Sequence, residues 1–475
     1  MTTTQYLLDH LETHHGQAVD RLTKLLAIPS VSTDPAFEKH VHEGAHWIAN
    51  FCEELGMSVD VMQPAGADGK QGHPVVVAKS TPKMVAEDVK NRVLFYGHYD
   101  VQPPDPVDLW TSPPFEPTVR DGNLYARGAS DDKGQVMCFL EAVKAYHDTG
   151  TKLPCHVTVL IEGEEECGSV SLPAFLESHA DKLDADEHTV CVVSDTSMWD
   201  APDSDTGYIP AITYALRGLV YFDVKLHGPS RDLHSGVYGG TLANPATQLV
   251  RVLGKLINDD NQVTIPGFYD DVLPLTGEEH DAWQKLNFSE HDFTGKVGSV
   301  PFGEKDFSTL ERRWVRPSCD VNGIYGGYMG EGAKTVIPTF AGAKVSFRIP
   351  ANMDPEKVGR QFTDWLHQHD TGGCRWEITN HGHAHPVATP TDSPWVVAAS
   401  NAIALTAGQP PALVREGATI PVIADFKNKL GVDTLLIGFG LNADNIHSPD
   451  EYFGLDRFLL GCRTHVALLA ELANA

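Results

Sequence analysis

Histidines and carboxylates stand just after short apolar runs at four places in this chain. Val93 to Tyr96 leads into Gly97-His98-Tyr99-Asp100, Val157 to Ile161 into Gly163-Glu164-Glu165-Glu166, Val190 to Val193 into Ser194-Asp195, and Leu435 to Phe439 toward Ile446-His447. A fifth group sits in the loop Tyr125-Ala126-Arg127-Gly128-Ala129-Ser130-Asp131-Asp132-Lys133-Gly134. Imidazole and carboxylate donors with no cysteine among them suit borderline divalent cations, zinc or manganese, with cobalt as a substitute in vitro. A pair of such ions about 3.5–4 Å apart needs a shared oxygen ligand, and Asp131 is the candidate. We assign His98, Asp131 and Asp195 to one ion, and Asp131, Glu166 and His447 to the other. Adjacent residues diverge in regular backbone, so Glu165 is left to face water held between the ions and act as a general base. Asp100 follows His98 by two positions on an extended segment and shares its side, where it can receive the imidazole N–H and fix the tautomer.

Each signal is weak alone, since a single His or Asp after a strand is more often a cap or turn residue. Their repetition at the ends of several strands points to one crevice. The run Glu164-Glu165-Glu166 would pass for a solvated acidic turn, but directly after a buried strand unpaired negative charge is costly unless cations compensate it.

His98-Tyr99-Asp100-Val101-Gln102-Pro103-Pro104, Gly128-Ala129-Ser130-Asp131-Asp132-Lys133-Gly134, Glu165-Glu166-Cys167-Gly168-Ser169, Ser194-Asp195 and His447-Ser448 together resemble the M20 metallopeptidases, most of all their dipeptidase branch. The likeness runs from Leu26-Ala27-Ile28-Pro29-Ser30-Val31-Ser32 to His447. It implies the roles already assigned to Glu165 and Asp131 and a cis bond between Asp131 and Asp132. It also implies a homodimer in which His234 reaches the partner's active site to stabilise the oxyanion. Substrate contacts are implied at Arg348, Thr335 and Thr419, and at one histidine of His381-Gly382-His383-Ala384-His385, taken as His381. The chain departs from the branch at Glu164, where Met is frequent, and at Ala418-Thr419, where Gly-Ser is frequent.

The elements that must position these groups follow from hydropathy. Short apolar runs bounded by turn residues read as buried parallel strands, whose carboxyl ends carry the ligand sites of open α/β sheets. Gln135 to Ala145 reads as a helix. After about Pro202–Pro210 the pattern changes: Val220, Phe222, Val224 and Leu226 alternate with polar residues as in a half-solvated strand. Leu242, Ala246, Leu249, Val250, Leu253 and Ile257 follow at helical spacing. Val345, Phe347 and Ile349 form another alternating strand, with Arg348 on its opposite face, and a helix spans roughly 355–369. The expectation is an α/β catalytic domain with a mostly parallel sheet flanked by helices (1–207 and 385–475) and an inserted α+β lid and dimerisation domain (208–384) that closes over substrate.

At 475 residues the chain exceeds one core. A formal charge of −28 opposes nucleic-acid binding. No apolar stretch is long enough to span a membrane and no signal-like start is present; with eight cysteines in no CxxC pair, a cytoplasmic protein is expected. Gly327 to Thr335 resembles a phosphate loop, but Ala333 displaces the lysine and a strand follows. The chemistry expected is hydrolysis of dipeptides or short peptides, with Arg348 reading a free carboxylate. An amidohydrolase releasing acyl or carbamoyl groups from amino acids needs the same ions and grip. A non-catalytic relative would have no need of Glu165 beside intact ligands.

Overall fold

The computed structural model describes residues 2–66 and 69–475. They form two compact units: the described residues up to Tyr214 with Thr389–Val414 and Asp425–Ala475, and Ala215–Ala388 with Arg415–Ala424.

The first unit is built on a sheet whose centre runs His156–Glu162, Arg92–His98, Thr189–Val193, Asp433–Leu436, each strand parallel to the next. These strands are Val-, Leu- and Ile-rich and almost wholly buried, as parallel strands covered on both faces must be. Ser58–Met62 and Val75–Lys79 extend the sheet antiparallel on one side. The helices Thr3–Leu26, Lys133–Asp148, Pro394–Ala407 and Leu455–Leu472 pack together over it, and their apolar stripes form one core with the strands. Because the central strands are parallel, all their carboxyl ends emerge on the same edge. The α/β class with a mainly parallel sheet is therefore the one observed.

The second unit has a four-stranded antiparallel sheet in the order Ser318–Gly326, Phe340–Ile349, Gly218–His227, Arg375–Ala384. Val220, Phe222, Val224, Val345 and Phe347 point to one face and meet the helices Pro245–Leu253 and Pro355–His367 in a separate core. Two details differ from expectation. Along the first of these helices the buried residues are Pro245, Leu249, Val252 and Leu253, whereas Val250 is exposed; Leu242 and Ile257 fall outside the helix and are exposed too. The division of the chain also shifts. Tyr208–Tyr214 stay with the first unit, where Thr213 pairs with Leu436. Arg415–Ala424 join the second, where Arg217 donates its backbone N–H to Glu416 O and its side chain to Gly417 O.

Among the described residues no helix is long and apolar enough to cross a membrane.

Candidate active site and metal centre

At the carboxyl edge of the parallel strands two groups of potential ligands share one residue. His98, Asp131 and Asp195 form the first, and Asp131, Glu166 and His447 the second. His98 Nε2 is 3.1 Å from Asp131 Oδ1 and 3.9 Å from Asp195 Oδ2. His447 Nε2 is 2.9 Å from Asp131 Oδ2 and 3.3 Å from Glu166 Oε2. One carboxylate thus offers a different oxygen to each group, which is the arrangement a bridging ligand requires. Tetrahedral ligands at zinc lie about 3.3 Å apart for bonds near 2.0 Å, so three of these four separations suit a bound cation closely.

The electrostatics fit as well. Burial and the Asp131 charge hold the Asp195 carboxyl well above the usual carboxylate range, with His98 opposing the shift. Burial also acts upward on Asp131, but hydrogen bonds from His447 and His98 hold it well below that range. The His447 imidazole is raised to about 10 by its bonds to Asp131 and Glu166. Burial lowers His98, yet its bonds to Asp100 and Asp131 outweigh this and raise it well above the ordinary value. In the metal-free protein both imidazoles face carboxylates that cations would otherwise compensate, which is what raises them.

Loading a cation therefore expels protons. We expect apparent metal affinity to fall as pH drops from about 8 to about 6, by about tenfold per unit for each proton displaced. Competition against a chelator across that range measures it, and a flat profile would contradict the picture.

Glu165 belongs to neither group. It opens a single 3-10 turn, Glu165–Cys167, right after the His156–Glu162 strand. Burial pushes its carboxyl up to about 7; His98 opposes the shift, while the charges of Glu166, Asp131 and Asp100 add to it. A carboxyl poised near neutrality suits proton transfer. Asp100 is wholly buried. His98 Nδ1 lies 3.1 Å from the Asp100 backbone oxygen and 3.4 Å from its carboxylate, so main chain as well as side chain orients the ring. The Asp100 carboxylate also accepts the Glu166 backbone N–H at 3.1 Å, tying two ligand loops together. The Asp131–Asp132 peptide is cis.

Several residues support the site from behind the candidate ligands. Buried Glu451 accepts from Arg127 Nη1 at 2.6 Å, from the backbone N–H groups of Gly128 and Ser130 at 3.0 Å, and from that of Asp131 at 3.2 Å. Asp444 holds Arg457 through two 2.6 Å bonds and accepts the Ser130 hydroxyl at 2.9 Å. Glu164 is no solvated turn residue: it accepts from the backbone N–H groups of His73 and Ser171, both at 3.0 Å, and from the Ser171 hydroxyl. For Glu451 and Asp444 the only cue was proximity to the ligands along the chain; Glu164 was also marked by its place in an acidic run after a buried strand.

The remaining candidates lie in the second unit. Arg348 Nη1 donates to Thr419 Oγ1 at 2.8 Å, and that hydroxyl donates to Arg217 O at 2.6 Å. Burial, then the neighbouring Arg348 charge, lower the Arg217 guanidinium to about 10. Two guanidinium groups close enough for the charge of one to act on the other favour an anion. His234 is exposed and its Nδ1 accepts the Gly236 N–H at 3.0 Å, which leaves the proton of the neutral ring on Nε2. Thr335, also exposed, is its neighbour through the 3.1 Å bond from Ser235 N to Thr335 O. His381 is exposed, its ring 5.9 Å from that of Tyr221.

Residues 94–471 match the model of peptidase family M20/M25/M40. The chain is 32% identical to the Cys-Gly metallodipeptidase dug1 of Schizosaccharomyces pombe, over 98% of both proteins. Its fold matches human carnosine dipeptidase 1 with a TM-score of 0.79 at 30% identity, covering 100% of each chain. An M20 family metallo-carboxypeptidase of Sulfolobus solfataricus matches with a TM-score of 0.80 at 31% identity, over 96% of this chain and 99% of that one.

Proposed function

The chain belongs to peptidase family M20/M25/M40 and is a metal-dependent hydrolase of dipeptides, and we propose that it cleaves the peptide bond of dipeptides and short peptides with a free C-terminal carboxylate, using two zinc or manganese ions per subunit. The observation that carries this reading is the sharing of Asp131 between two ligand groups beside the uncommitted Glu165.

Held by His98, Asp131, Asp195, Glu166 and His447, such cations would supply a water of lowered pKa and would polarise the substrate carbonyl. The chain's own groups do the rest. Glu165 takes the proton of the attacking water as its oxygen bonds to the carbonyl carbon, then gives that proton to the amine nitrogen as the C–N bond breaks. Asp100 fixes His98 so that Nε2 faces the ligand group. His234, with its proton on Nε2, donates to the oxyanion in the partner subunit's site, so the functional unit is a homodimer. Thr335 and His381 contact the substrate, and Arg348, braced by Thr419, grips its carboxylate. Free cysteines throughout support a reducing, cytoplasmic setting.

The deciding experiment is hydrolysis of a dipeptide panel, beside N-acyl and N-carbamoyl amino acids, by metal-free enzyme reloaded with zinc, manganese or cobalt. Faster turnover of the N-substituted amino acids would replace this reading. For Arg348→Lys, loss of the two-pronged grip should lower kcat/KM for a free dipeptide by roughly 10- to 100-fold, while a dipeptide amide changes little. An equal effect on both would remove Arg348 from carboxylate recognition.

A further inference from the structure

The second unit holds a cluster of ligand-type atoms unconnected with the chemistry above. Glu356 Oε1 is 3.1 Å from His383 Nε2 and 3.6 Å from His385 Nε2, and all three donor atoms lie within 4.8 Å of one another. The way the chain builds this cluster is informative. Along the strand Arg375–Ala384 the even-numbered residues Trp376 and Ile378 pack onto the helix-covered core, and Asn380 comes within 3.9 Å of a side chain placed at Gly359 of the helix Pro355–His367. Uninterrupted alternation would then turn His383 and His385 to the opposite face.

The register instead slips between Tyr221 and Phe222, which pair with Gly382 and Asn380, leaving His381 as the extra residue. Gly382 takes φ 125° at this bulge, a value that side-chain-bearing residues rarely adopt. The slip exchanges odd for even. His383 now pairs with Val220, a core residue, and His385, two positions on, follows on the same side. Both rings come to the first turn of the helix, where Asp354 accepts the Glu356 backbone N–H at 3.0 Å and sets that residue's place.

We infer that Glu356, His383 and His385 form a further cation site, taking a divalent ion of the zinc class through two imidazoles and one carboxylate, with a fourth position open to water. Three such donors are a complete zinc ligand set, and their two shorter separations bracket the spacing of about 3.3 Å expected around that ion. An ion pair explains the cluster less well. The ring centroids are 5.7 Å apart, so two imidazolium groups would repel each other while sharing one carboxylate oxygen. A single divalent ion satisfies both neutral rings and the carboxylate together. The bound ion would tie the end of the bulged strand to the helix.

The test is zinc content of the holoenzyme after equilibration with micromolar zinc and removal of the excess, measured by elemental analysis. Wild-type protein is expected to carry one zinc per chain more than Glu356→Gln and one more than His383→Ala. Glu356→Gln should keep full dipeptidase activity, which shows that the catalytic ions are in place and the chain is folded. The same zinc content in wild type and both variants overturns the site, and so does a wild-type excess that appears only at millimolar zinc. Because the comparison is a difference of one ion, its outcome is independent of how many ions serve catalysis.

Discussion

Glu165→Gln is expected to retain the metal content of the wild-type enzyme and to lose turnover by about 10²- to 10⁴-fold, the range for removal of a general base. The expectation follows from position. Glu165 stands in neither ligand group, so the amide costs no coordination bond, and the loop is held by its neighbours rather than by Glu165: the Glu166 backbone bonds to Asp100, and Gln102 Nε2 donates to the Glu166 carboxylate at 2.8 Å. The amide has almost the carboxylate's shape but cannot take a proton from water. The loss should therefore fall on kcat rather than KM. Elemental analysis alongside steady-state kinetics on one dipeptide checks both halves. Loss of metal would make Glu165 a ligand, and substantial residual turnover would assign the proton transfer elsewhere.

The clustering of these candidate ligands follows from the sequence because parallel strands translate chain pattern into space simply. Each short apolar run ends on the same edge of the sheet, so a histidine or carboxylate two to five residues later falls near that edge. His98, Glu166 and Asp195 were legible for this reason, and Asp131 because it stands in the loop that leads into the helix Lys133–Asp148. His447 was harder, since residues 437–446 separate it from its strand; only its type and its place in the family pattern mark it. Glu451 and Asp444 were illegible, because an isolated acidic residue in a polar segment has no period to betray its burial; Glu164 stood out with its acidic neighbours, but nothing marked its partners His73 and Ser171. The same holds for Arg217, which meets Arg348 and Thr419 only through folding. The bulge at His381 shows a further limit. Alternation predicts a face until one inserted residue reverses it, and the sole local cue is Gly382.

Glu451 provides the sharpest test of how the Asp131 loop is held. Its two oxygens accept from four donors: Arg127 and Gly128 N–H on Oε2, and Ser130 and Asp131 N–H on Oε1. Arg127 and Glu451 are each 1% exposed at the side chain, so neither has water as a substitute partner. Glu451→Gln turns an amide NH₂ toward one pair of donors and removes the charge opposite Arg127. We expect a loss of about 3–5 kcal/mol in stability, as for other broken buried pairs, read from the denaturant midpoint of metal-free protein. Metal affinity should fall by about 10- to 100-fold, the effect typical of groups that orient ligands. A second variant separates the two consequences. Replacing Arg127 and Glu451 together by Met removes both buried charges and should recover the part of the stability that the unpaired guanidinium cost. It cannot restore an acceptor for the Ser130 and Asp131 N–H groups, so metal affinity should stay low. Recovery of both properties together would mean that Glu451 serves only to neutralise Arg127 and that the loop keeps Asp131 in place unaided.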